Sequence, residues 1–200
     1  MASESTHKEV FFGGLVKAFK EQWQVDIRLK PGDDDNAIPA HKVILAARSK
    51  VFRDMLESDE CKASQDETIT LSELKHEELK TFLEFLYNGS LSFTELKQHV
   101  RPLYLAADKY EIPYLQDLCR NHLISNLNSS NALDVLELSD IPSDKPLNEA
   151  VSRYIIEHMD EIAFSQNFKP FVEKNPSLAV EIMQAFLNKT KDSRLRRYYY

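Results

Sequence analysis

The 200-residue chain predicts an α+β fold, a small β-sheet flanked by helices and followed by an all-α extension. Three observations predict it. Apolar and polar residues alternate strictly through Trp23-Gln-Val-Asp-Ile-Arg-Leu-Lys30, the period of a half-buried strand. Ile38 to Phe52 then packs a strand end, a short helix and a second helix start into one stretch. Beyond about Asn126 strand signals vanish, and amphipathic stretches parted by prolines remain.

The first element runs from Val10 to Phe19, where Phe12, Leu15, Val16 and Phe19 stand at helical spacing and give an apolar stripe, which serves an intrachain core or a second subunit. The Trp23–Lys30 strand comes next. Pro31-Gly-Asp-Asp-Asp-Asn36 supplies turn formers, and Ala37-Ile-Pro39 reads as a second strand whose proline suits an edge, completing a hairpin. A short helix spans His41 to Ala47. Ser49 caps the next, Lys50 to Glu57, with Val51, Phe52, Met55 and Leu56 on one face. After the polar loop Ser58 to Glu67, Thr68-Ile-Thr-Leu71 forms a third strand, and Leu79, Phe82, Leu83 and Leu86 mark a helix that Asn88-Gly89 stops. Ser92 and Glu95 fit a capping box opening a helix through Ala107. Past the Lys109-Tyr110-Glu111 turn, Ile112, Leu115, Leu118, Cys119, His122 and Leu123 define another.

The second part carries three stripes: Leu133, Val135, Leu136 and Leu138; Leu147, Val151, Tyr154, Ile155 and Ile162; and Ala179, Ile182, Met183 and Phe186. Pro142, Pro146, Pro170 and Pro176 punctuate them, and Asn175-Pro176 suits the start of the last helix. Lys189 to Tyr200 is basic and aromatic without a periodic face, and is expected to be a flexible tail. The expected domains are therefore 10–125, 126–188 and the tail 189–200.

Composition excludes several functions. A hydrophobic content of 42% supports a real core, while a net charge of −7 and a pI near 5.4 oppose the phosphate neutralisation that drives nucleic-acid binding. Cys61 and Cys119 lie far apart in no CxxC pair, which suits reduced, packed thiols in the cytoplasm or nucleus. The apolar run Val10 to Val16 is broken by two glycines and makes a poor signal peptide, and nothing approaches a membrane span. The Asn-x-Ser/Thr sequons at Asn88, Asn128 and Asn188 are then chance matches.

Chemistry-bearing motifs are absent. Four glycines, at 13, 14, 32 and 89, leave no dinucleotide fingerprint or phosphate loop. His76-Glu77-Glu78 lacks a zincin's second histidine, Cys119-x-x-His122 is half a zinc site, and Asp33-Asp34-Asp35 lacks EF-hand spacing. His41, at a helix start, reads as satisfying a backbone group, and Arg194-Leu-Arg-Arg197 reads as part of a flexible end. No catalytic, cofactor-binding or metal-ligating residue is expected.

The order helix, hairpin, helix pair, strand, long helix, helix pair is similar to the BTB/POZ fold. Asp26 within Val25-Asp-Ile27, Ala40-His-Lys42, Ile44-Leu-Ala-Ala-Arg-Ser49, Val51-Phe52, Phe85-Leu-Tyr-Asn-Gly89 and Ala106-Ala-Asp-Lys-Tyr110 fall where that family places such residues, over about Val10 to Asn126. Asn126-Leu-Asn-Ser-Ser-Asn-Ala-Leu133 and the helical stretches after it resemble the BACK-type extension of cullin-3 substrate adaptors, particularly the short form in MATH-BTB proteins, with no MATH domain read ahead of it. The resemblance implies a homodimer in which Phe12, Leu15, Val16 and Phe19 face the partner and Asp26 and Lys42 form a charged pair near the interface. It implies cullin-3 contact through Met55, Leu56, Asp59, Glu60 and Tyr110, and capture of an unidentified substrate protein, with neither nucleic acid nor membrane as partner. Glu60 stands near where the family carries an apolar residue, so a self-association scaffold without cullin is the alternative.

Overall fold

The computed structural model describes residues 13–57 and 68–198, with side chains through residue 191. Helix α1 occupies residues 13–20, and the chain then turns through Gln22 and Gln24, whose φ angles of 53° and 57° put both in the left-handed region. That turn absorbs Trp23, so strand β1 (Ile27–Pro31) starts four residues later than the alternation predicts. Within β1, Ile27, Leu29 and Pro31 are buried and Arg28 is exposed.

Strand β2 (Ile38–Ala40) pairs antiparallel with β1, setting Ile27, Arg28 and Leu29 opposite Ala40, Pro39 and Ile38. Strand β3 (Thr68–Leu71) pairs parallel on the other side, so the order is β2-β1-β3 and Pro39, with no amide hydrogen to donate, lies on an edge. A parallel pair needs a crossover, and α2 (Lys42–Arg48) and α3 (Lys50–Glu57) lie on it. Ser49 joins them: its buried hydroxyl accepts from the Phe52 amide at 3.1 Å and donates to the Tyr110 carbonyl at 2.6 Å.

Just past β1 the Gly32 amide donates to the Leu74 carbonyl at 2.8 Å. A Cβ there would stand 2.1 Å from the Ser72 carbonyl oxygen, so the glycine is required by close backbone approach rather than by turn geometry.

Helix α4 (His76–Asn88) forms the middle of the core, burying Leu79, Thr81, Phe82, Leu83, Phe85, Leu86 and Tyr87. It ends as expected at Gly89, whose φ of 71° lets its amide return to the Phe85 carbonyl at 2.7 Å. The Ser92/Glu95 capping box opens α5 (Phe93–Lys109), and Ser92's hydrogen bonds hold the Glu95 carboxyl below its ordinary range. Helix α6 (Pro113–Ser125) comes after a turn with Glu111 at φ 50°.

The chain divides into two compact units, Met1–His122 and Leu123–Tyr200. In the second, α7 (Ala132–Asp140), α8 (Lys145–Glu157), α9 (Met159–Ile162), α10 (Phe168–Lys174) and α11 (Pro176–Tyr198) outnumber the three stretches expected. Pro146, Pro170 and Pro176 lie in the first turns of α8, α10 and α11, while the break between α8 and α9 falls at His158 without a proline; Asp144 caps α8 by accepting from the Leu147 amide at 3.1 Å. Helix α11 also runs on through residues 189–198, where a flexible tail is expected. Neither glycine nor proline interrupts that stretch, and it is rich in lysine and arginine, which favour helix without needing an apolar face.

Gly32→Ala should lower unfolding free energy by about 1–3 kcal/mol, since the clash is with backbone that cannot rotate away. Denaturant midpoints of the two proteins check this.

Candidate functional site

Tyr87 organises the first candidate surface. Its ring stacks on buried Phe19 of α1 at 4.5 Å, and its hydroxyl oxygen accepts from the His41 amide at 2.9 Å. The same oxygen lies 2.6 Å from His41 Nδ1, and His41 Nε2 lies 2.7 Å from the Trp23 carbonyl. A carbonyl only accepts, so Nε2 carries the proton and Nδ1 accepts from the tyrosine. His41 thus satisfies backbone, as the sequence suggests. Burial, moderated by the His41 amide, pushes the Tyr87 hydroxyl up to about 12.

The network seats α1 and the turn after it against α4 while leaving apolar side chains outside. Leu15 is 39% exposed, Trp23 66% and Val43 68%. Val16 is half-buried, whereas Phe19 faces its own core, where stacking on Tyr87 takes up the ring expected to face a partner. Phe12 lies outside the described residues. Asp26 is exposed in the protomer, and its carboxylate accepts from the Lys42 backbone amide at 2.8 Å. This link sets a carboxylate at the start of α2, with the charge at the favourable end of the helix.

Tyr110 organises the second surface. It is 1% exposed, stacked on Phe52 of α3 at 4.5 Å with planes 2° apart, so it supports the surface from within instead of forming part of it. Its hydroxyl donates to Glu73 Oε1, and Lys109 Nζ reaches the same oxygen at 2.9 Å. Burial raises the Glu73 carboxyl, but the hydrogen bonds from Tyr110 and Lys109 outweigh it and hold the group below its ordinary range. Burial, together with Glu73, drives the Tyr110 hydroxyl well above its own range.

With Phe52 pinned inward, Met55 and Leu56 of the same helix stay half-buried at its outer margin. Asp59, Glu60 and Cys61 lie outside the described residues. Cys119 is buried, and burial pushes its thiol up to about 12, which suits a packed residue. The Asp33–Asp35 run is occupied with local capping: Asp33 accepts from the His76 amide at 2.8 Å and Asp34 from the Asn36 amide at 3.0 Å. Among the described residues no group of three or more His, Cys, Asp or Glu is placed to hold a metal ion, and no helix is long and apolar enough to cross a membrane.

Trp23, Val43, Glu73 and Tyr87 are functional candidates that sequence patterns alone pass over. Glu73 and Tyr110 are 37 residues apart and His41 and Tyr87 are 46 apart, separations at which no local pattern operates.

Comparison with known proteins bears on both surfaces. A BTB/POZ domain family profile matches residues 15–127. A BTB/POZ domain-containing protein of Arabidopsis thaliana is 53% identical over 189 residues, covering 94% of this chain and 90% of that protein. A putative BTB/POZ domain-containing protein of the same plant is 56% identical over 200 residues, covering 97% and 95%. Among solved structures, the BTB domain of zebrafish PATZ1 covers 63% of this chain and 98% of its own at 19% identity with a TM-score of 0.49, a likeness too loose to carry an argument.

Because the folded Glu73 carboxyl titrates below its ordinary 4.5, its stabilising contribution is present above about pH 4.5 and lost as pH falls through the folded value. Glu73→Gln should therefore cost about 1 kcal/mol at pH 7, and the gap to the parent should close in acid. Thermal melts from pH 7 to pH 3 measure it.

Proposed function

The chain belongs to the BTB/POZ family, and on that premise we propose that it is a substrate-specific adaptor of a cullin-3 RING E3 ubiquitin-protein ligase, acting as a dimeric, non-catalytic interaction module. The observation that carries this reading is the outer margin of α3: Phe52 is locked against Tyr110, Tyr110 against Glu73, and Met55 and Leu56 are thereby presented on a stiff helix. A pre-ordered apolar margin suits a partner protein, since little side-chain freedom is lost on docking.

The dimer uses the other surface. Leu15, Trp23 and Val43 are large, apolar and exposed on segments held by one network, with Val16, Asp26 and Lys42 nearby in the chain. Residues 126–188, the BACK-like extension, and the end of α11 are left to face the substrate protein. The work is placed in the cytoplasm or nucleus.

A self-association scaffold without cullin is the second reading, favoured by Glu60 standing near where the family carries an apolar contact residue. The two differ in one binding measurement. Titrated with the N-terminal half of cullin-3, the protein should bind one cullin per protomer, and Met55→Glu with Leu56→Glu should weaken that binding by at least about tenfold while leaving the dimer mass unchanged. Absence of binding to an intact dimer would favour the scaffold. For the dimer, Leu15→Asp with Trp23→Asp should yield a folded protein of monomer mass in light scattering; an unchanged dimer would place the interface elsewhere.

A further inference from the structure

We infer that the open cleft bounded by the end of α1, the edge strand β2 and one face of α4 binds an acidic peptide segment carrying an aliphatic side chain. The cleft measures about 480 Å³, within the range of roughly 300–1,000 Å³ typical of ligand sites. Phe19, Ile38 and Pro39 give it an apolar floor, and Lys20, Lys80 and Gln22 stand around it. All belong to the first compact unit.

The sign of charge selects the occupant. The chain as a whole carries −7, yet the wall holds two lysines against one carboxylate, Glu84. Both lysines are exposed, and no described residue forms an ion pair with either. A neutral or basic segment would gain nothing from them, whereas carboxylates on either side of an aliphatic group could meet the lysines while that group rests on the floor.

Two further features fit side-chain capture. Strand β2 is a sheet edge, but Pro39 offers no amide hydrogen, so a guest strand could not be zipped on along its length and recognition falls to the side chains. Gln22 is held at φ 53°, a conformation that non-glycine residues adopt at a cost and that concentrates at functional sites. Here it places a neutral amide donor on the cleft wall.

The site is separate from the α3 margin, so its failure leaves the cullin reading untouched, and the reverse also holds. The test uses the full chain and fluorescence anisotropy of a labelled peptide of glutamates around a central leucine. Saturable binding is expected, weakened by salt and by at least about tenfold in the Lys20→Glu, Lys80→Glu double variant. Glu84→Gln should tighten it, a change of sign that general loss of structure could not produce. Thermal melts confirm that each variant is folded. The proposal is overturned if the peptide fails to bind, if lysines in place of the glutamates or serine in place of the leucine bind as well, or if the double variant binds like the parent.

Discussion

The first compact unit depends on one hydroxyl. Tyr87 is itself buried on α4, yet its oxygen accepts from the His41 amide and is bonded to the His41 ring, which in turn donates to the Trp23 carbonyl. Three chain segments that share no strand or helix are thereby fastened together. A buried phenol left without partners would cost roughly 1–3 kcal/mol, so the network is worth most in the penalty it avoids. Because every member is satisfied only in the Nε2–H tautomer, the arrangement specifies a single geometry for the turn after α1.

A parallel device holds the opposite side of α4. Tyr110 is stacked on Phe52 and tilted against Phe82, and its hydroxyl ends on Glu73 together with Lys109. Aromatic pairs of this kind contribute about 0.5–1.5 kcal/mol beyond the area they bury. Each tyrosine thus has its ring in the core and its hydroxyl tied to a polar group supplied by another element. The helices that carry outward residues, α1, α2 and α3, are consequently positioned by the core rather than by their own short lengths, which could not sustain them in isolation.

This division gives the surfaces their character. Leu15, Trp23 and Val43 on one side and Met55 and Leu56 on the other are apolar groups left over after the core is filled, presented by backbone that is already fixed. The cleft of Lys20 and Lys80 borders the first of them without using the same side chains, since Phe19 reaches its floor from within. A family of protein-protein interaction modules is consistent with a fold whose polar investment lies in positioning side chains.

Local order was legible in the sequence because its causes are local. The ends of α3 follow from the Ser49 cap and the spacing of Phe52, Met55 and Leu56, those of β3 from Thr68-Ile-Thr-Leu71, and the stop of α4 from Gly89 in the left-handed conformation. Charge and glycine content likewise argued against nucleic-acid binding and nucleotide chemistry without reference to any contact, and the interaction module followed from the family resemblance. Tertiary structure decided what periodicity cannot carry: that Tyr110 is inside, that Phe19 turns to its own core, that the strand begins at Ile27 once the turn has taken Trp23, and that Asp26 meets a backbone amide. It also decided that α11 continues to Tyr198, because good helix formers can extend a helix with no stripe to announce it. Burial and hydrogen bonding are properties of pairs, and the decisive pairs here lie 37 and 46 residues apart, beyond the reach of any repeat that a single sequence displays.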